Sequence, residues 1–262
     1  INANFDWLFT DRRTFDFANL DRINIYLDIC KPNIIINCAA YTLVDKAEDN
    51  FEIANIVNHK AVGLIAKWCN DNNCKLLHVS SDYVYNGKSK IPYNEEDQTA
   101  PLNNYGKTKL LGDIACQKNN SSSIIIRTSW LYSSFGNNFL SNIINLAQER
   151  NEIEVIDDQF GSPTYAADLA KTIFDLIINK KWHPGVYNFT NCGKVSWYNF
   201  ANKIKTICDF HAIIKPVSSK DYYQKAIRPK YSILDNSKII NTFNIKQIDY
   251  LESLKRCIKI IK

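Results

Sequence analysis

The chain has 262 residues, enough to bury a sizeable core, and it fits one large α/β domain or one domain with a smaller lobe. Its hydrophobic content of 45%, its charged content of 23% and its net charge of +5, spread without a basic block, argue against a nucleic-acid partner. No apolar run reaches the length of a transmembrane helix, so no membrane partner is predicted.

Short β-rich runs alternate with helical patterns along the chain, which is typical of βαβ units around a parallel sheet. In chain order the pattern predicts a strand over residues 7–10, a helix over 20–30, a strand over 33–40, a helix over 45–72, a strand over 75–81, a helix over 104–117, a strand over 123–130, a helix over 138–149, a strand over 153–156, a helix over 166–178, a strand over 186–190, a helix over 196–208 and a last helix around 251–261. The alternation is regular up to about residue 150 and looser beyond it. We therefore predict an α/β protein with a doubly wound parallel sheet and a smaller C-terminal lobe, with the chain crossing between them.

The cysteines and histidines carry no metal-binding or disulfide signature. The eight cysteines are scattered and include no C-x-x-C motif, which favours reduced thiols in a cytoplasmic protein. The four histidines lack the spacing of metal ligands, so no metal site is predicted.

The chain contains a single Tyr-x-x-x-Lys motif, formed by Tyr105 and Lys109. On a helix these two side chains share one face, and a nearby ammonium lowers the pKa of a phenol and so makes it a better proton donor. Ser81 ends a predicted parallel strand, where open α/β sheets bind ligands, and its hydroxyl could hold a carbonyl oxygen beside Tyr105. The set suits reduction of a carbonyl with a nicotinamide cofactor. The alternative is a surface Tyr and Lys with a turn Ser.

A polar segment follows the first predicted strand and suggests a cofactor site. Asp11 is placed to accept hydrogen bonds from an adenosine ribose, and Arg12 and Arg13 could pair with a 2′-phosphate. Asp16 and Phe17 could offer a carboxylate and an aromatic face to an adenine ring. The alternatives are a solvated polar turn and an ordinary core phenylalanine.

Three further places suggest ligand contacts. The small residues Ala39 and Ala40 end the strand over residues 33–40 and would let a ring or sugar approach the backbone, or would allow close packing of strand on helix. Trp130 ends another strand and could wall a sugar pocket or fill the core. Arg228, held in a stiff loop by Pro229, could neutralise a diphosphate or form a surface salt bridge.

Together these segments resemble the dTDP-4-dehydrorhamnose reductase family of the extended short-chain dehydrogenase/reductase superfamily. The matching segments run in family order over residues 37–42, 44–48, 80–85, 100–103, 105–109, 127–132, 136–139, 158–164 and 228–229. The resemblance implies a Rossmann-like NAD(P)-binding domain, mainly residues 1–150, and a substrate lobe, mainly residues 151–262. It also implies reduction of the C4 keto group of dTDP-4-dehydro-L-rhamnose with NADPH or NADH.

The resemblance also implies roles for single residues. Tyr105 matches the proton donor, Lys109 its partner, and Ser81 a position that is usually Thr. The residues that match cofactor contacts, together with those predicted above, are Asp11, Arg12, Asp16, Phe17, Ala39, Ala40, Tyr41, Thr42, Tyr105 and Lys109. The residues predicted to contact the dTDP-sugar are Ser81, Asp82, Tyr83, Trp130 and Arg228. A homodimer is implied as well.

The start of the chain departs from the family, which opens with a strand and a Gly-rich turn for the cofactor pyrophosphate. The first glycine here is Gly63, and the chain has no Met, so we expect about one βα unit to precede Ile1. Two rival functions stay open: another nucleotide-sugar epimerase or dehydratase, and a non-catalytic regulatory subunit similar to the β subunit of methionine adenosyltransferase.

Overall fold

The computed structural model of the protein describes residues 5–178 and 182–261. In chain order its elements are α1 (Leu20–Cys30), β1 (Ile34–Asn37), α2 (Val44–Ala47), α3 (Phe51–Asn55), a π-helical turn (Ile56–Lys60), α4 (Ala61–Asp71), β2 (Lys75–Ser81), a 3₁₀ turn (Asp82–Val84), α5 (Asn104–Asn119), β3 (Ile124–Thr128), β4 (Leu131–Tyr132), α6 (Phe139–Glu149), β5 (Glu152–Ile156), β6 (Phe160–Gly161), β7 (Thr164–Tyr165), α7 (Ala166–Ile178), β8 (Gly185–Asn188), β9 (Val195–Ser196), α8 (Trp197–Cys208), β10 (Ile213–Val217), α9 (Ser237–Phe243) and α10 (Tyr250–Ile261).

The main sheet is parallel and has the strand order β1-β2-β3-β8. Its strands are almost continuously apolar because helices cover both faces, as in β3, where Ile124, Ile125 and Ile126 are fully buried. Helices α1 and α4 pack on one face, and α7 and α9 pack on the other. The predicted α/β fold with a doubly wound parallel sheet is therefore confirmed.

A second core lies around the parallel pair β5 and β10. Helices α6, α8 and α10 supply most of its buried side chains, including Leu140, Phe200 and Leu254. Between these elements in the sequence, α7 and β8 return to the main sheet. The chain therefore crosses between the two cores, while the division at residue 150 stays a prediction.

The predicted strand over residues 7–10 is wrong. A segment becomes a strand only when its N–H and C=O groups pair with a neighbour, and among the described residues no strand pairs with it. Leu8 and Phe9 of this segment are 65% and 73% exposed.

The predicted single helix over residues 45–72 is also wrong in detail, because α2 ends at Ala47 and a π-helical turn separates α3 from α4. The side chain of Asn58 in this turn points inward and is fully buried. Helix α5 also packs so closely here that a Cβ at Gly112 would lie 2.1 Å from the carbonyl oxygen of Asn58. Tertiary contacts thus override the helical periodicity that the sequence shows.

None of the helices in residues 5–178 and 182–261 is long and apolar enough to cross a membrane. The same residues contain no disulfide bond, and Cys69, Cys74, Cys116 and Cys257 are buried.

Candidate active site

The candidate site lies where β2 ends and α5 begins. Ser81 is the last residue of β2, and its Oγ accepts a hydrogen bond from the Tyr83 N–H at 3.2 Å, which starts the 3₁₀ turn. Asn103 caps α5, since its Oδ1 accepts from the Gly106 N–H at 2.8 Å. The cap places Tyr105 in the first turn of α5, directly beside the residues that follow β2.

Ser81 and Tyr105 come together as the sequence predicts, and Tyr83 lies beside Tyr105. The rings of Tyr83 and Tyr105 meet edge to face, with centroids 5.4 Å apart. The Ser81 hydroxyl lies beside the Tyr105 phenol, and burial, which outweighs the effect of this neighbour, raises the pKa of Tyr105 to about 12. The prediction that Lys109 lowers this pKa is wrong for this structure, because burial of the phenol dominates.

Lys109 is buried beneath the site, with 1% of its surface exposed. Its Nζ donates to the Val79 carbonyl oxygen at 2.8 Å and lies 3.4 Å from His78 Nε2. Burial lowers the pKa of Lys109 to about 8, while Asp113 opposes that shift. The ammonium and amine forms of Lys109 are therefore both accessible near neutral pH.

Asp82 is a buried carboxyl directly after Ser81. Its Oδ1 accepts from Ser81 Oγ at 3.1 Å, and its Oδ2 has no hydrogen-bond partner among the described residues. Burial raises the pKa of Asp82 to about 7, although the nearby hydroxyls of Ser232 and Ser81 oppose that shift. At neutral pH the carboxyl is thus divided between its acid and its ionised form.

The loop after β1 holds the predicted cofactor contacts Ala39 to Thr42. The Ala39 N–H donates to Asn37 Oδ1 at 3.0 Å, and the Tyr41 N–H donates to Asn58 Oδ1 at 2.8 Å. Asn58 Nδ2 donates in turn to the Tyr41 carbonyl oxygen at 3.1 Å. Ala39 and Thr42 are exposed, whereas Ala40 and Tyr41 are half-buried. Asn58 fixes this loop from the π-helical turn, and nothing in the sequence marked it as a functional residue.

The polar turn after residue 10 stays at the surface. Asp11 accepts from Arg13 Nε at 2.9 Å, and this bond is the main reason that the pKa of Asp11 is lowered. Arg12 pairs with Asp16 at 3.7 Å, and its side chain is 82% exposed. Phe17 belongs to the core that α1 and α4 cover. The cofactor roles of these residues stay predictions.

Trp130 lies between β3 and β4 and packs against an aromatic side chain that the sequence analysis did not single out. Its ring stacks on Trp197 with centroids 3.3 Å apart and planes 5° apart. A Cβ at Gly161 would lie 2.2 Å from the Trp130 ring, so only glycine fits below it. The φ of Trp130 is 47°, a left-handed conformation that a bulky residue rarely adopts. The indole is therefore held in one orientation by its surroundings.

Arg228 reaches the site from the C-terminal part of the chain. Its guanidinium binds Asp45 with both nitrogens, NH2 to Oδ2 at 2.6 Å and NH1 to Oδ1 at 3.0 Å. The Tyr83 phenol lies beside this guanidinium. Arg228 thus lies beside a predicted substrate residue, and it forms the salt bridge that was its alternative role.

We expect Gly106→Ala to destabilise the protein and to disrupt the site. A Cβ at Gly106 would lie 2.2 Å from the Tyr83 carbonyl oxygen, so α5 would have to move away from the turn that carries Ser81 and Tyr83. The expected loss is about 2 kcal/mol or more in the free energy of unfolding, measured by chemical denaturation. Gly63→Ala in α4 is the matched control, because its Cβ would meet its nearest atom at 3.3 Å. Equal stability of the two variants would contradict the close approach.

The fold and the site together define a class of protein. A doubly wound parallel sheet carries Ser81 at the carboxyl end of β2 and a Tyr-x-x-x-Lys pair on the next helix. This is the arrangement of a nicotinamide-dependent oxidoreductase of the short-chain dehydrogenase/reductase type.

Comparison with known proteins narrows the class to a family. The family model described as the RmlD substrate binding domain matches residues 2–262. The chain is 36% identical to the dTDP-4-dehydrorhamnose reductase of Aggregatibacter actinomycetemcomitans, over 97% of this chain and 90% of that protein. It is 37% identical to the enzyme of the same name from Escherichia coli, over 92% and 84% of the two chains. The crystal structure of the Bacillus anthracis dTDP-4-dehydrorhamnose reductase in complex with NADP superposes with a TM-score of 0.91 and 36% identity, covering 96% of this chain and 89% of that one. The chain belongs to the RmlD family of dTDP-4-dehydrorhamnose reductases.

Proposed function

We propose that this protein reduces the C4 keto group of dTDP-4-dehydro-L-rhamnose to give dTDP-L-rhamnose, with NADPH or NADH as the reductant. The observation that carries the proposal is the position of Ser81 at the end of β2 beside Tyr105, with Lys109 one turn further along α5. The relatives named above bear the same activity in their names, and one of them was crystallised with NADP.

The residues present fit a nicotinamide cofactor. Ala39 and Thr42 are exposed, which leaves room for a flat ring or a ribose, and Lys109 has donors for ribose hydroxyls. Asp11 and Arg12, both exposed, would take the adenosine ribose and a 2′-phosphate. When bound, the reduced nicotinamide supplies a hydride.

The protein's own side chains handle the oxygen of the substrate carbonyl. Ser81 Oγ would turn its O–H from Asp82 Oδ1 to this oxygen and so orient it toward Tyr105. As negative charge develops on the oxygen, Tyr105 transfers its phenolic proton to it, and an O–H bond forms on the sugar as the phenol O–H bond breaks. Because burial raises the pKa of Tyr105 in the folded protein to about 12, its phenol is protonated at neutral pH and can donate its proton.

The rest of the substrate would lie along the second core. Trp130, stacked on Trp197, offers a rigid wall to the sugar, and Asp82 and Tyr83 flank the reacting carbon. Arg228 would stabilise the diphosphate at the price of loosening its pair with Asp45. In this proposal residues 151–262 form most of the substrate lobe, residues 1–150 most of the cofactor domain, and the protein forms a homodimer.

The test is oxidation of NADPH and of NADH by the purified protein, followed by absorbance, on addition of dTDP-4-dehydro-L-rhamnose. We expect oxidation that depends on this sugar nucleotide, and the two rates give the cofactor preference. dTDP-glucose, which lacks a keto group, is the control and should give no oxidation. Cofactor binding without oxidation would contradict the proposal and favour another sugar nucleotide or a regulatory role.

A further inference from the structure

A buried polar cluster lies directly below the candidate site and has no part in the steps described above. It consists of Asn37 at the end of β1, His78 in β2, Asp113 in α5 and Arg127 in β3, none of them more than 5% exposed. All four contact one another or Lys109 through side-chain atoms. A polar cluster in the interior persists only when its hydrogen bonds are nearly complete, so their directions can be worked out.

The directions begin at Asn37. The Ala39 N–H donates to Asn37 Oδ1 at 3.0 Å, which fixes the amide with its Nδ2 toward His78. Asn37 Nδ2 lies 3.0 Å from His78 Nδ1, and because an amide nitrogen only donates, His78 Nδ1 must accept. Burial, together with the nearby Lys109, holds the pKa of His78 well below its usual range, so the ring is neutral. The single ring proton of His78 is therefore on Nε2.

The Nε2–H of His78 points into the cluster around Lys109. It lies 3.4 Å from Lys109 Nζ and 4.0 Å from Asp113 Oδ1, an oxygen that has no hydrogen-bond partner among the described residues. An N–H donor disfavours an ammonium beside it, but it donates readily to the lone pair of an amine. The tautomer that Asn37 fixes therefore favours the amine form of Lys109.

The other charged and titratable groups around Lys109 act in the opposite direction. Asp113 on α5 favours the ammonium, and Cys38 after β1 and Cys116 on α5 do so weakly when ionised. The Asp113 charge is partly satisfied by Arg127, whose Nε donates to Oδ2 at 3.1 Å. The Val79 carbonyl oxygen accepts a hydrogen bond from Lys109 Nζ in both its ammonium and its amine form. Besides burial, the His78 N–H is the neutral donor among the described residues that offsets these groups.

We propose that Asn37 and His78 are positioning residues that balance Lys109 between ammonium and amine, through the fixed Nε2–H tautomer of His78. The inference rests on the proposed function, because it assigns this balance to the Lys109 that would hold the cofactor ribose one turn of α5 from Tyr105. It identifies residues behind Lys109 that set the pH range of the reduction.

The first experiment reads the tautomer directly and needs no substrate. In protein labelled with ¹⁵N-histidine, we expect His78 to show a protonated Nε2 and an unprotonated Nδ1 between about pH 6 and 9. In Asn37→Asp the carboxylate replaces the amide donor, and we expect the proton to move to Nδ1. A proton on Nδ1 in the wild-type protein would overturn the inference, whatever the enzyme turns over.

The second experiment reads the consequence in turnover. His78→Gln can still accept from Asn37 and donate toward Lys109, whereas His78→Leu, of similar size, can do neither. We expect kcat of the Leu variant to fall about tenfold, with a smaller loss in the Gln variant and little change in KM for the cofactor. Equal losses in the two variants would overturn the inference.

The pH dependence of Asn37→Asp provides the independent check, should the Leu variant fail to fold. With the proton on Nδ1, the Nε2 lone pair accepts from the ammonium, so Lys109 holds its proton to higher pH. We expect the alkaline limb of the pH profile of kcat to move to higher pH than in the wild type. Asn236→Asp, a buried amide that bonds Thr190 on the far side of the sheet, is the control for added charge and should leave the limb in place. A limb that does not move in Asn37→Asp, although the tautomer has reversed, would overturn the inference.

Discussion

Tyr105→Phe is expected to remove turnover and to leave cofactor binding close to that of the wild-type protein. The variant keeps the ring that packs against Tyr83 and loses only the hydroxyl that Ser81 contacts. Because the hydroxyl is the proton donor in the proposed reaction, kcat should fall by at least about a hundredfold. The measurement is substrate-dependent NADPH oxidation, with cofactor affinity followed separately by fluorescence.

Tyr83→Phe is the matched control for this variant. It removes a second phenol hydroxyl from the same aromatic pair, one that lies beside the Arg228 guanidinium. Its loss of turnover should be much smaller than that of Tyr105→Phe. Retained turnover in Tyr105→Phe would contradict the assignment of the proton donor, and equal losses would show that the pair acts only through packing.

Asp82→Asn is expected to stabilise the folded protein at alkaline pH. Burial raises the pKa of Asp82 from 3.8 to about 7, so the folded state favours the protonated acid. The stabilisation from this raised pKa is fully present below about pH 4 and is lost as the pH rises through 7. Asparagine mimics the protonated acid at every pH. The variant should therefore be more stable than the wild type at pH 8 by up to ~4 kcal/mol, and close to it near pH 4.

The measurement is the free energy of unfolding in urea at several pH values, for the wild type and for Asp82→Asn. Asp221→Asn, at an exposed position in the C-terminal part of the chain, is the control and should change stability little. A difference between wild type and Asp82→Asn that does not grow between pH 4 and pH 8 would show that the carboxyl is not buried as described.

Local chemistry made part of the site predictable from the sequence. The isoleucine-rich strands show a sheet covered on both faces, and Ser81, Tyr105 and Lys109 follow from strand ends and helical spacing. Their mutual approach depends on short segments, the 3₁₀ turn and the cap at Asn103, whose geometry is mostly local. The resemblance to the reductases rested on the same segments, and the family comparison confirms it.

The remaining features depend on contacts between distant residues. The environment of Lys109 is set by His78 on another element, and burial changes its pKa in a way that helical spacing does not reveal. The stacking of Trp130 on Trp197 joins residues far apart in the sequence. Likewise, residues 7–10 have the composition of a strand, but strand formation requires a partner that composition does not specify.

The π-helical turn has a consequence for how one stretch of helix serves two neighbours. A π turn contains one residue more than an α turn, so the helix that follows is rotated by about 100° relative to the uninterrupted phase. Asn58 and the core residues Val62, Ile65 and Cys69 follow one another at helical spacing, so one face of this segment both holds the loop after β1 and packs in the core. The rotation therefore falls between this face and α3, so the side chains of α3 point in directions that an unbroken α-helix would not give them.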